Sequence, residues 1–301
     1  MTRVFLIAIL ALACFATPAQ AAKVKLKVGI GEQNPTFFDD KRWQSLKTPY
    51  VRYVVSWDVM TSAWETAELD AWMARARRAR ANILVTFGHS RQRRKARKLP
   101  SRDAFAHQFR LLRRRYPYLR LFQAWNEANH ETQPTRHRPD RVAKYYDSIK
   151  RNCPECTVSA PSLLDDRKLL SWIKRFRKVA RYRIPIWSIH NHVDANRHRS
   201  TLTRKVLAWT KGQLWFSETG GIANRWVDGK RRREYNTKNA GRAIRNVFKL
   251  ARLSRRVKRV YIYHWLAPQQ RRPRWDSGLI DPKGKARPSL RILKNEMRRA
   301  R

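Results

Sequence analysis

The sequence is poor in cysteine, glycine and acidic residues, and these shortages exclude several classes of protein. With 3 cysteines among 301 residues, no second Cys/His pair stands at the spacing that a zinc site needs. No glycine-rich phosphate loop follows the first predicted strand, which argues against a nucleotide-binding doubly wound sheet. Beyond the N-terminal leader, no apolar run is long enough to form a membrane helix. We therefore predict no metal, no cofactor and no transmembrane segment.

The scarcity of acidic residues leaves a strongly positive chain. There are 22 Asp and Glu residues against 68 Lys and Arg, a formal net charge of +46. Such a charge favours binding to polyanions of any kind, including nucleic acids, anionic wall polymers and membrane surfaces. The basic residues are spread over nearly every predicted helix, and no RNA- or DNA-binding motif is present. A basic solvated surface therefore explains the charge better than a specific nucleic-acid site does.

The first 22 residues have the pattern of a signal peptide. Arg3 gives a positive start, residues 4–16 are apolar, and Ala19-Gln20-Ala21 is a small-x-small cleavage site. Cys14 raises lipidation as an alternative, although the residue three positions before it is not the usual leucine. We predict a secreted, extracellular protein, which its positive charge would allow to associate with the cell wall. The sequence does not determine the oligomeric state, and we expect a monomer.

Two further cysteines form the motif Cys153-Pro154-Glu155-Cys156. In an exported chain, this pair is most simply a small structural disulfide. A thioredoxin-like redox motif would open a helix early in a βαβ unit, whereas this motif lies mid-chain between a predicted helix and a predicted strand. We predict a disulfide between Cys153 and Cys156.

From residue 23 to residue 301, short apolar strands alternate with longer amphipathic segments. Strands are predicted at residues 24–30, 50–57, 81–87, 119–125, 157–162, 184–189, 213–217 and 257–265. Helices are predicted at residues 39–46, 65–80, 103–115, 142–149, 169–180, 202–209, 240–251 and 290–297, the first of them the least regular. Eight strands alternating with eight helices over this length predict an α/β protein that is a single (β/α)8 barrel, a TIM barrel.

Polar and aromatic residues collect where these strands end, at the face where such barrels place their active sites. They are Glu32, Trp57, Asp58, His89, Asn126, Glu127, His190, His192, Glu218, His264 and Trp265. Glu127 ends the fourth strand and Glu218 ends the seventh, so the two carboxylates are expected to face each other across the barrel mouth. Two carboxylates flanking one bond are what glycoside hydrolysis needs, with one of them protonated and the other ionised. Sugars also stack on aromatic rings, and we expect Trp265, at a strand tip, to provide such a surface. Trp57 and His89 are further candidate substrate contacts.

Three motifs resemble those of the clan A glycoside hydrolases, in particular of family 39-like and family 5-like members. Trp125-Asn126-Glu127 is similar to the acid/base motif of the clan, and residues 216–220 (FSETG) resemble its nucleophile strand. Residues 275–281 (WDSGLID), followed by Arg287-Pro288, are similar to its closing loop and final-helix entry. The resemblance extends from about residue 24 to residue 297. It departs from the family at Ala128, where many members have proline, and at the His-Asn-His of strand six.

The resemblance implies a retaining double displacement. Glu127 would protonate the leaving group and then activate water, Glu218 would form the glycosyl-enzyme, and the carboxylates would lie about 5–5.5 Å apart. Asn126 would hydrogen-bond the sugar 2-hydroxyl. Arg52 either holds Glu218 ionised or points outward into solvent. Either His190 or His192 would lie near the nucleophile, and the sequence does not decide which.

Two basic loops, residues 91–98 and 230–233, follow strands three and seven. They are predicted either to rim the cleft and attract an anionic glycan or simply to share the general excess of arginine. The sequence therefore favours a secreted glycosidase that acts on β-linked glycans. The alternative is a non-catalytic barrel that binds glycans or polyanions at the cell surface.

Overall fold

The computed structural model describes residues 25–300. The predicted signal peptide and Cys14 lie outside the described residues. The strands are β1 (Lys27–Gly31), β2 (Tyr50–Ser56), β3 (Asn82–Gly88), β4 (Leu121–Gln123), β5 (Thr157–Ser159), β6 (Ser162–Leu164), β7 (Ile186–His190), β8 (Gln213–Thr219), β9 (Arg225–Val227), β10 (Lys230–Arg233) and β11 (Val257–Tyr263). The α-helices are α1 (Lys41–Gln44), α2 (Ala63–Arg78), α3 (Arg102–Arg115), α4 (Pro139–Asn152), α5 (Leu169–Val179), α6 (His192–Asn196), α7 (Thr201–Trp209), α8 (Thr237–Ala251) and α9 (Pro288–Arg299).

Nine of these strands form one parallel sheet in the order β5-β4-β3-β2-β1-β11-β8-β7-β6. Its two outer strands, β5 and β6, are separated in the chain by only Ala160 and Pro161. Ala160 N donates to Ile186 O of β7, and Ser162 N donates to Trp125 O just beyond β4. The segment Thr157–Leu164 therefore contacts both neighbours and acts as one barrel strand, interrupted where Pro161 has no N–H to donate. Counted in this way, the sheet is a barrel of eight strands.

The inside of the barrel is built in layers, because every second residue of a strand points inward. Near the N-terminal ends of the strands the layer is apolar and aromatic, and it comprises Tyr50, Leu84, Leu121, Ile186, Trp215 and Tyr261. Two residues further along the same strands lies a polar layer of Arg52, Thr86, Gln123, Ser188 and Ser217, which Ser159 of β5 completes. Hydrogen bonds connect this second layer from Arg52 through Thr86 and Gln123 to Ser159 and Ser217.

The helices cover the outside of the barrel through apolar faces. In α3, Ser101 caps the helix by accepting a hydrogen bond from Ala104 N, as expected of a serine at this position. Phe105, Phe109 and Leu112 then face the sheet and are buried. The spacing of these residues, three or four apart, places them on one side of the helix. The same pattern positions the other long helices, so that the outer core surrounds the sheet.

Several predicted elements differ from those observed. The predicted fourth strand is limited to Leu121–Gln123, and the eighth ends at Tyr263 rather than at residue 265. The basic segment Lys230–Arg233 is not a loop, because it pairs with Arg225–Val227 as an antiparallel hairpin after β8. The structure joins Cys153 and Cys156 in a disulfide. Within residues 25–300, no helix combines the length and the apolar character needed to cross a membrane.

Candidate active site

Glu127 is held at the barrel mouth by the interrupted fifth strand. Its N–H donates to Ser162 Oγ at 2.9 Å, and Ala128 N donates to Ser162 O at 2.9 Å. Ser162 is free to bond beyond the end of β4 because the ladder breaks at Pro161. Glu127 has a φ of 46°, a left-handed conformation that costs a non-glycine residue about 1–2 kcal/mol. The strained backbone is thus fixed by two hydrogen bonds, and its carboxylate faces the axis of the barrel.

Glu218 reaches the mouth because β8 carries an extra residue. Ser217 faces inward, so a regular strand would turn Glu218 outward. However, the consecutive residues Ile189 and His190 of β7 pair with Phe216 and Glu218 of β8, so β8 has one more residue than β7 over this stretch. The same shift occurs against β11. A bulge of this kind redirects a side chain, and here it brings the Glu218 carboxylate to within 2.8 Å of Arg52 Nη1.

Arg52 connects the two ends of the site. Its side chain is buried inside the barrel, which excludes the outward, solvated alternative. Besides contacting Glu218, its Nη2 donates to Asn126 Oδ1 at 2.6 Å. Its Nε donates to Thr86 Oγ1 at 3.1 Å. The guanidinium therefore orients the amide beside Glu127 and the carboxylate of Glu218 at the same time.

Each of the two histidines contacts a different carboxylate. Nδ1 of His190 lies 3.1 Å from Glu127 Oε1, and Nε2 of His192 lies 3.4 Å from Glu218 Oε1. His190 extends the inward row of β7, two residues beyond Ser188. His192 begins α6, and Asp165 accepts hydrogen bonds from the next two backbone N–H groups, those of Val193 and Asp194. Ligand atoms of both glutamates and both histidines lie within 4.8 Å of one another.

The surroundings lower the pKa of both carboxyls. Burial raises the pKa of Glu218, but His190, His192 and Arg52 together outweigh burial and hold it well below its ordinary value. Burial likewise raises the pKa of Glu127, and its hydrogen bond to His190 reverses the shift, so that its pKa lies below the ordinary value. Burial lowers the pKa of His190.

A cavity of about 1300 Å³ opens above these groups. Its lining includes Asn126, Glu127, His192, Glu218 and Arg52, together with His89. Nδ1 of His89 lies within hydrogen-bonding distance of the Gln133 amide. The predicted site residues that the structure brings together are therefore Arg52, His89, Asn126, Glu127, His192 and Glu218 in the cavity, with His190 behind Glu127.

Two predicted substrate contacts do not lie in the cavity, and the interpretation of each was wrong. Trp265 is fully buried in the outer core, where its Nε1 donates to Asp40 Oδ2 at 3.0 Å. The reason is that β11 ends at Tyr263 and the chain then turns out of the barrel, with Trp265 N bound to Glu32 Oε2. Trp57 directly follows the last residue of β2 and packs against the outer core instead of lining the cavity.

The aromatic side chains that do line the cavity are Tyr263 and Trp275. Tyr263 follows Tyr261 by two residues on β11, a spacing that would have identified it as inward-facing. Trp275 packs edge-on against His192, with ring centroids 4.7 Å apart. Its loop is held by Arg287, which forms a two-pronged ion pair with Asp276. Sequence reasoning included Trp275 in a motif but did not assign it to the site.

The same four side chains that surround the mouth have the chemistry of metal ligands. Glu127, His190, His192 and Glu218 are of the right types and are close enough together. However, Arg52 already places a positive charge 2.8 Å from Glu218 and 3.5 Å from His190 Nε2. A cation at this point would face that guanidinium, so the arrangement suits two carboxylates acting on an organic substrate better. A second group, Cys153, Glu155 and Cys156, has its sulfurs joined in the disulfide.

No family model and no curated protein matches the sequence. Solved structures do match. A GH5_18 enzyme variant from Streptomyces cattleya, in complex with Manβ1-4GlcNAc, has a TM-score of 0.68 and 15% identity, covering 92% of this chain and 81% of that one. Xylanase 10B from Thermotoga maritima has a TM-score of 0.64 and 10% identity, covering 92% and 96%. The chain has the (β/α)8 fold of the clan A glycoside hydrolases.

A family 39 glycoside hydrolase from the gut symbiont Bacteroides cellulosilyticus WH2 shares this clan A fold, with a TM-score of 0.62 and 12% identity over 91% of this chain and 64% of that one. The predicted barrel and the predicted resemblance are therefore confirmed at the level of the fold. Within the (β/α)8 barrel of this chain, Glu127 follows the fourth strand and Glu218 lies in the seventh.

Proposed function

We propose that the chain is a secreted retaining glycoside hydrolase that cleaves β-linked glycans, with Glu127 as acid/base and Glu218 as nucleophile. The observation that carries the proposal is the proximity of the two carboxylates, which have oxygens within 4.8 Å of each other. Retaining enzymes need about 5–5.5 Å between the two groups, whereas inverting enzymes need about 6.5–9.5 Å to admit a water molecule. The spacing therefore supports direct attack by a carboxylate.

In the first step, the Glu218 carboxylate attacks the anomeric carbon while Glu127 gives its proton to the departing oxygen. The bond from the anomeric carbon to the leaving group breaks, and an ester to Glu218 forms. In the second step, Glu127 takes a proton from a water molecule, whose oxygen displaces Glu218 from the sugar. Arg52 supports both steps, because it favours the ionised form of Glu218 as attacking group and as leaving group. Asn126, oriented by Arg52, is placed to bind the 2-hydroxyl.

The change in charge at Glu218 helps Glu127 to act first as an acid and then as a base. While Glu218 is ionised, its charge raises the pKa of Glu127. Once Glu218 is esterified, that repulsion is lost, the pKa of Glu127 falls, and the carboxylate is ready to accept a proton. Because the pKa of Glu127 is already below its ordinary 4.5, we expect hydrolysis to be fastest in acid and to decline as the pH rises towards neutrality. Hydrolysis that is fastest at neutral pH would contradict this expectation.

Two further observations support the substrate class and the location. The similar structures include an enzyme in complex with Manβ1-4GlcNAc, a GH113 β-1,4-mannanase and a GH128 endo-β-1,3-glucanase. All three names refer to β-linked sugars. The N-terminal leader supports export.

The test is to compare the wild-type protein with Glu127→Gln and Glu218→Gln on chromogenic β-glycosides. Glu218→Gln should abolish hydrolysis of every substrate. Glu127→Gln should lose about 10²–10⁴-fold with poor leaving groups and much less with a dinitrophenolate, which needs no proton. Glu131→Gln, which removes another cavity-lining carboxylate, is the matched control and should retain activity. NMR should show that the first product keeps the β configuration.

The same experiment separates the enzyme from a non-catalytic binding protein. A barrel that only binds glycans or polyanions would show no activity that depends on Glu218. If the wild-type protein and both glutamine variants behaved alike across a broad panel of β-glycosides, the catalytic assignment would be rejected. If the first product had the α configuration, the retaining mechanism would be rejected.

A further inference from the structure

Three arginines lie on one wall of the cavity with no carboxylate to neutralise them. Arg225 and Arg233 belong to the hairpin of β9 and β10, and Arg197 follows α6; all three line the cavity. Within residues 25–300, none of these three side chains forms an ion pair or donates a hydrogen bond. The Nε of Arg225 is buried without a partner. We call these three residues the arginine cluster.

The other cavity arginines are of two kinds: among residues 25–300, Arg232 and Arg274 likewise form no ion pair, whereas two others are paired. Arg52 pairs with Glu218, and Arg91 pairs with Glu68 at 2.8 Å. What distinguishes the arginine cluster is therefore not the lack of ion pairs alone. It is the direct pairing of Arg225 with Arg233 across the hairpin and the buried, unpartnered Nε of Arg225.

The geometry of the cluster is unfavourable unless a negative charge is present. Arg225 and Arg233 are direct partners across the antiparallel hairpin, and like charges directly opposite in a ladder destabilise it. Burial and the nearby charges of Arg197 and Arg225 lower the pKa of Arg233. An oxyanion bound between the three guanidinium groups would remove this repulsion and supply the missing hydrogen-bond acceptors.

The cluster adjoins the nucleophile. Glu218 contacts His192 at 3.4 Å, and the His192 and Trp275 ring centroids lie 4.7 Å apart. The Arg225 guanidinium lies over the Trp275 ring, 5.2 Å from its centroid. A sugar placed on Trp275 next to the cleavage point would therefore direct its substituents towards the cluster.

We propose that Arg197, Arg225 and Arg233 form a subsite for an anionic substituent, a carboxylate or a sulfate ester, on a sugar of the substrate glycan. This inference rests on the proposed function, which it deepens by assigning the substrate to the acidic glycans. Arginine suits the role because its planar fork binds carboxylate and other oxyanions through two parallel hydrogen bonds.

The test measures binding to the inactive Glu218→Gln protein, so that the ligand is not consumed. Three probes share one β-1,4-mannose backbone: neutral mannotetraose, the tetrasaccharide of mannuronic acid, and sulfated mannotetraose. Isothermal titration calorimetry should show that at least one acidic probe binds at least about tenfold more tightly than the neutral probe. The acidic probe that binds more tightly identifies the substituent.

Two matched double variants, both made in the Glu218→Gln protein, test whether the preference depends on the arginine cluster or only on the total positive charge. Arg225→Gln/Arg233→Gln removes two charges from the cluster, and Lys230→Gln/Arg231→Gln removes two charges from the same hairpin outside the cavity lining. The cluster variant should lose the tenfold preference, and the control should keep most of it at high salt, where long-range attraction is screened. The cluster variant should also unfold at an equal or higher temperature than its parent, because it removes like-charge repulsion. If the hairpin does not tolerate both changes, Arg233→Gln alone serves.

The proposal would be overturned if the two double variants lost the preference for the acidic probe equally, or if the parent protein showed no preference for either acidic probe. A separate assay distinguishes this failure from failure of the proposed function: hydrolysis of neutral chromogenic β-glycosides by otherwise wild-type protein. Hydrolysis without any acidic preference would reject the subsite and keep the glycosidase. An acidic preference that depends on the cluster, in a protein that hydrolyses nothing, would reject the glycosidase and keep the binding site.

Discussion

The two ends of the barrel interior are built from the same strands but do different work. At the N-terminal end, the inward residues are apolar and aromatic, and Arg259 covers them by lying over the rings of Tyr50 and Trp215. Two residues further along, the inward positions are polar and mutually hydrogen-bonded, and beyond them lie the carboxylates. A distance of two residues along each strand thus separates a layer that stabilises the fold from a layer that positions the reacting groups.

The comparison also shows which end of the barrel interior lowers the stability of the fold. The apolar layer at the N-terminal end of the strands, the lower layer, buries hydrocarbon without any charge that must be compensated. The end at the barrel mouth, the upper end, holds two carboxylates, a guanidinium and two imidazoles close together, and it keeps Glu127 in a left-handed backbone conformation. Strain and buried charge of this kind are common at functional sites. Substitutions should therefore have different consequences at the two ends.

The largest effect is expected from Arg52→Met at the upper end. Loss of the guanidinium leaves Glu218 buried without its partner, and breaking a buried ion pair in this way costs about 3–5 kcal/mol of unfolding free energy. Hydrolysis should fall as well, because the pKa of Glu218 rises when Arg52 is removed. Chemical denaturation and initial rates measure the two effects.

The double variant Arg52→Met/Glu218→Gln is the control for this prediction. It removes both charges, so it should be more stable than Arg52→Met alone, although inactive. If Arg52→Met is as stable as the wild-type protein, the ion pair does not carry the energetic role assigned to it.

The next largest effect is expected from Leu84→Ala in the lower layer. Truncating a fully buried leucine costs about 2–5 kcal/mol of unfolding free energy, and Leu84 has no exposed surface. Activity per folded molecule should be unchanged, because the nearest reacting group lies beyond the polar layer. Leu202→Ala, the same change at a partly exposed position of α7, should cost less. A large loss of activity in folded Leu84→Ala would show that the layers are not independent.

Lowering the pH should reduce the stability contributed by Glu218 at the upper end and leave the contribution of the lower layer unchanged. Because the pKa of Glu218 is below its ordinary 4.5 in the folded protein, its ionised form contributes stability above pH 4.5 that is lost as the pH falls. The stability of the wild-type protein relative to Glu218→Gln should therefore decline below pH 4.5, by at most about 1.4 kcal/mol per pH unit. The difference between the wild-type protein and Leu84→Ala should not change with pH. Parallel pH profiles for all three proteins would contradict the assignment.

The smallest effect is expected from Ser188→Ala in the polar layer. Its hydroxyl donates to Ser159 Oγ at 3.3 Å, and loss of one such hydrogen bond costs about 0.5–1.5 kcal/mol. Denaturation curves should detect this change while the rates of hydrolysis stay close to wild type. A cost above about 3 kcal/mol would indicate that the hydrogen bonds of the polar layer strengthen one another.

The order of strands and the two glutamates could be predicted from the sequence because they depend on local periodicity and on position in the chain. Each apolar strand ends in polar residues, and counting strands places Glu127 and Glu218 in the fourth and seventh. The direction in which Arg52 points could not be predicted in the same way. A strand has two faces, and only closure of the barrel decides that Arg52 lies on the inner one.

The errors arose where strand periodicity stops. Trp265 stands two residues beyond Tyr263, which would be an inward position if β11 continued, but the chain has already turned towards Glu32. Glu218 is the opposite case, because a regular strand would have directed it outward and the bulge turns it in. The pairing of Arg225 with Arg233 was also hidden, since residues 230–233 have too little apolar character to indicate a strand.

The disulfide has a practical consequence for handling the protein. Cys156 immediately precedes β5 and so lies at the N-terminal end of the strands, whereas the two glutamates lie at the opposite end. The ring it closes with Cys153 is very short, and cross-linking so short a loop restricts the unfolded chain little. Samples produced in a reducing cytoplasm, or stored with thiol reagents, should therefore retain an intact reaction centre.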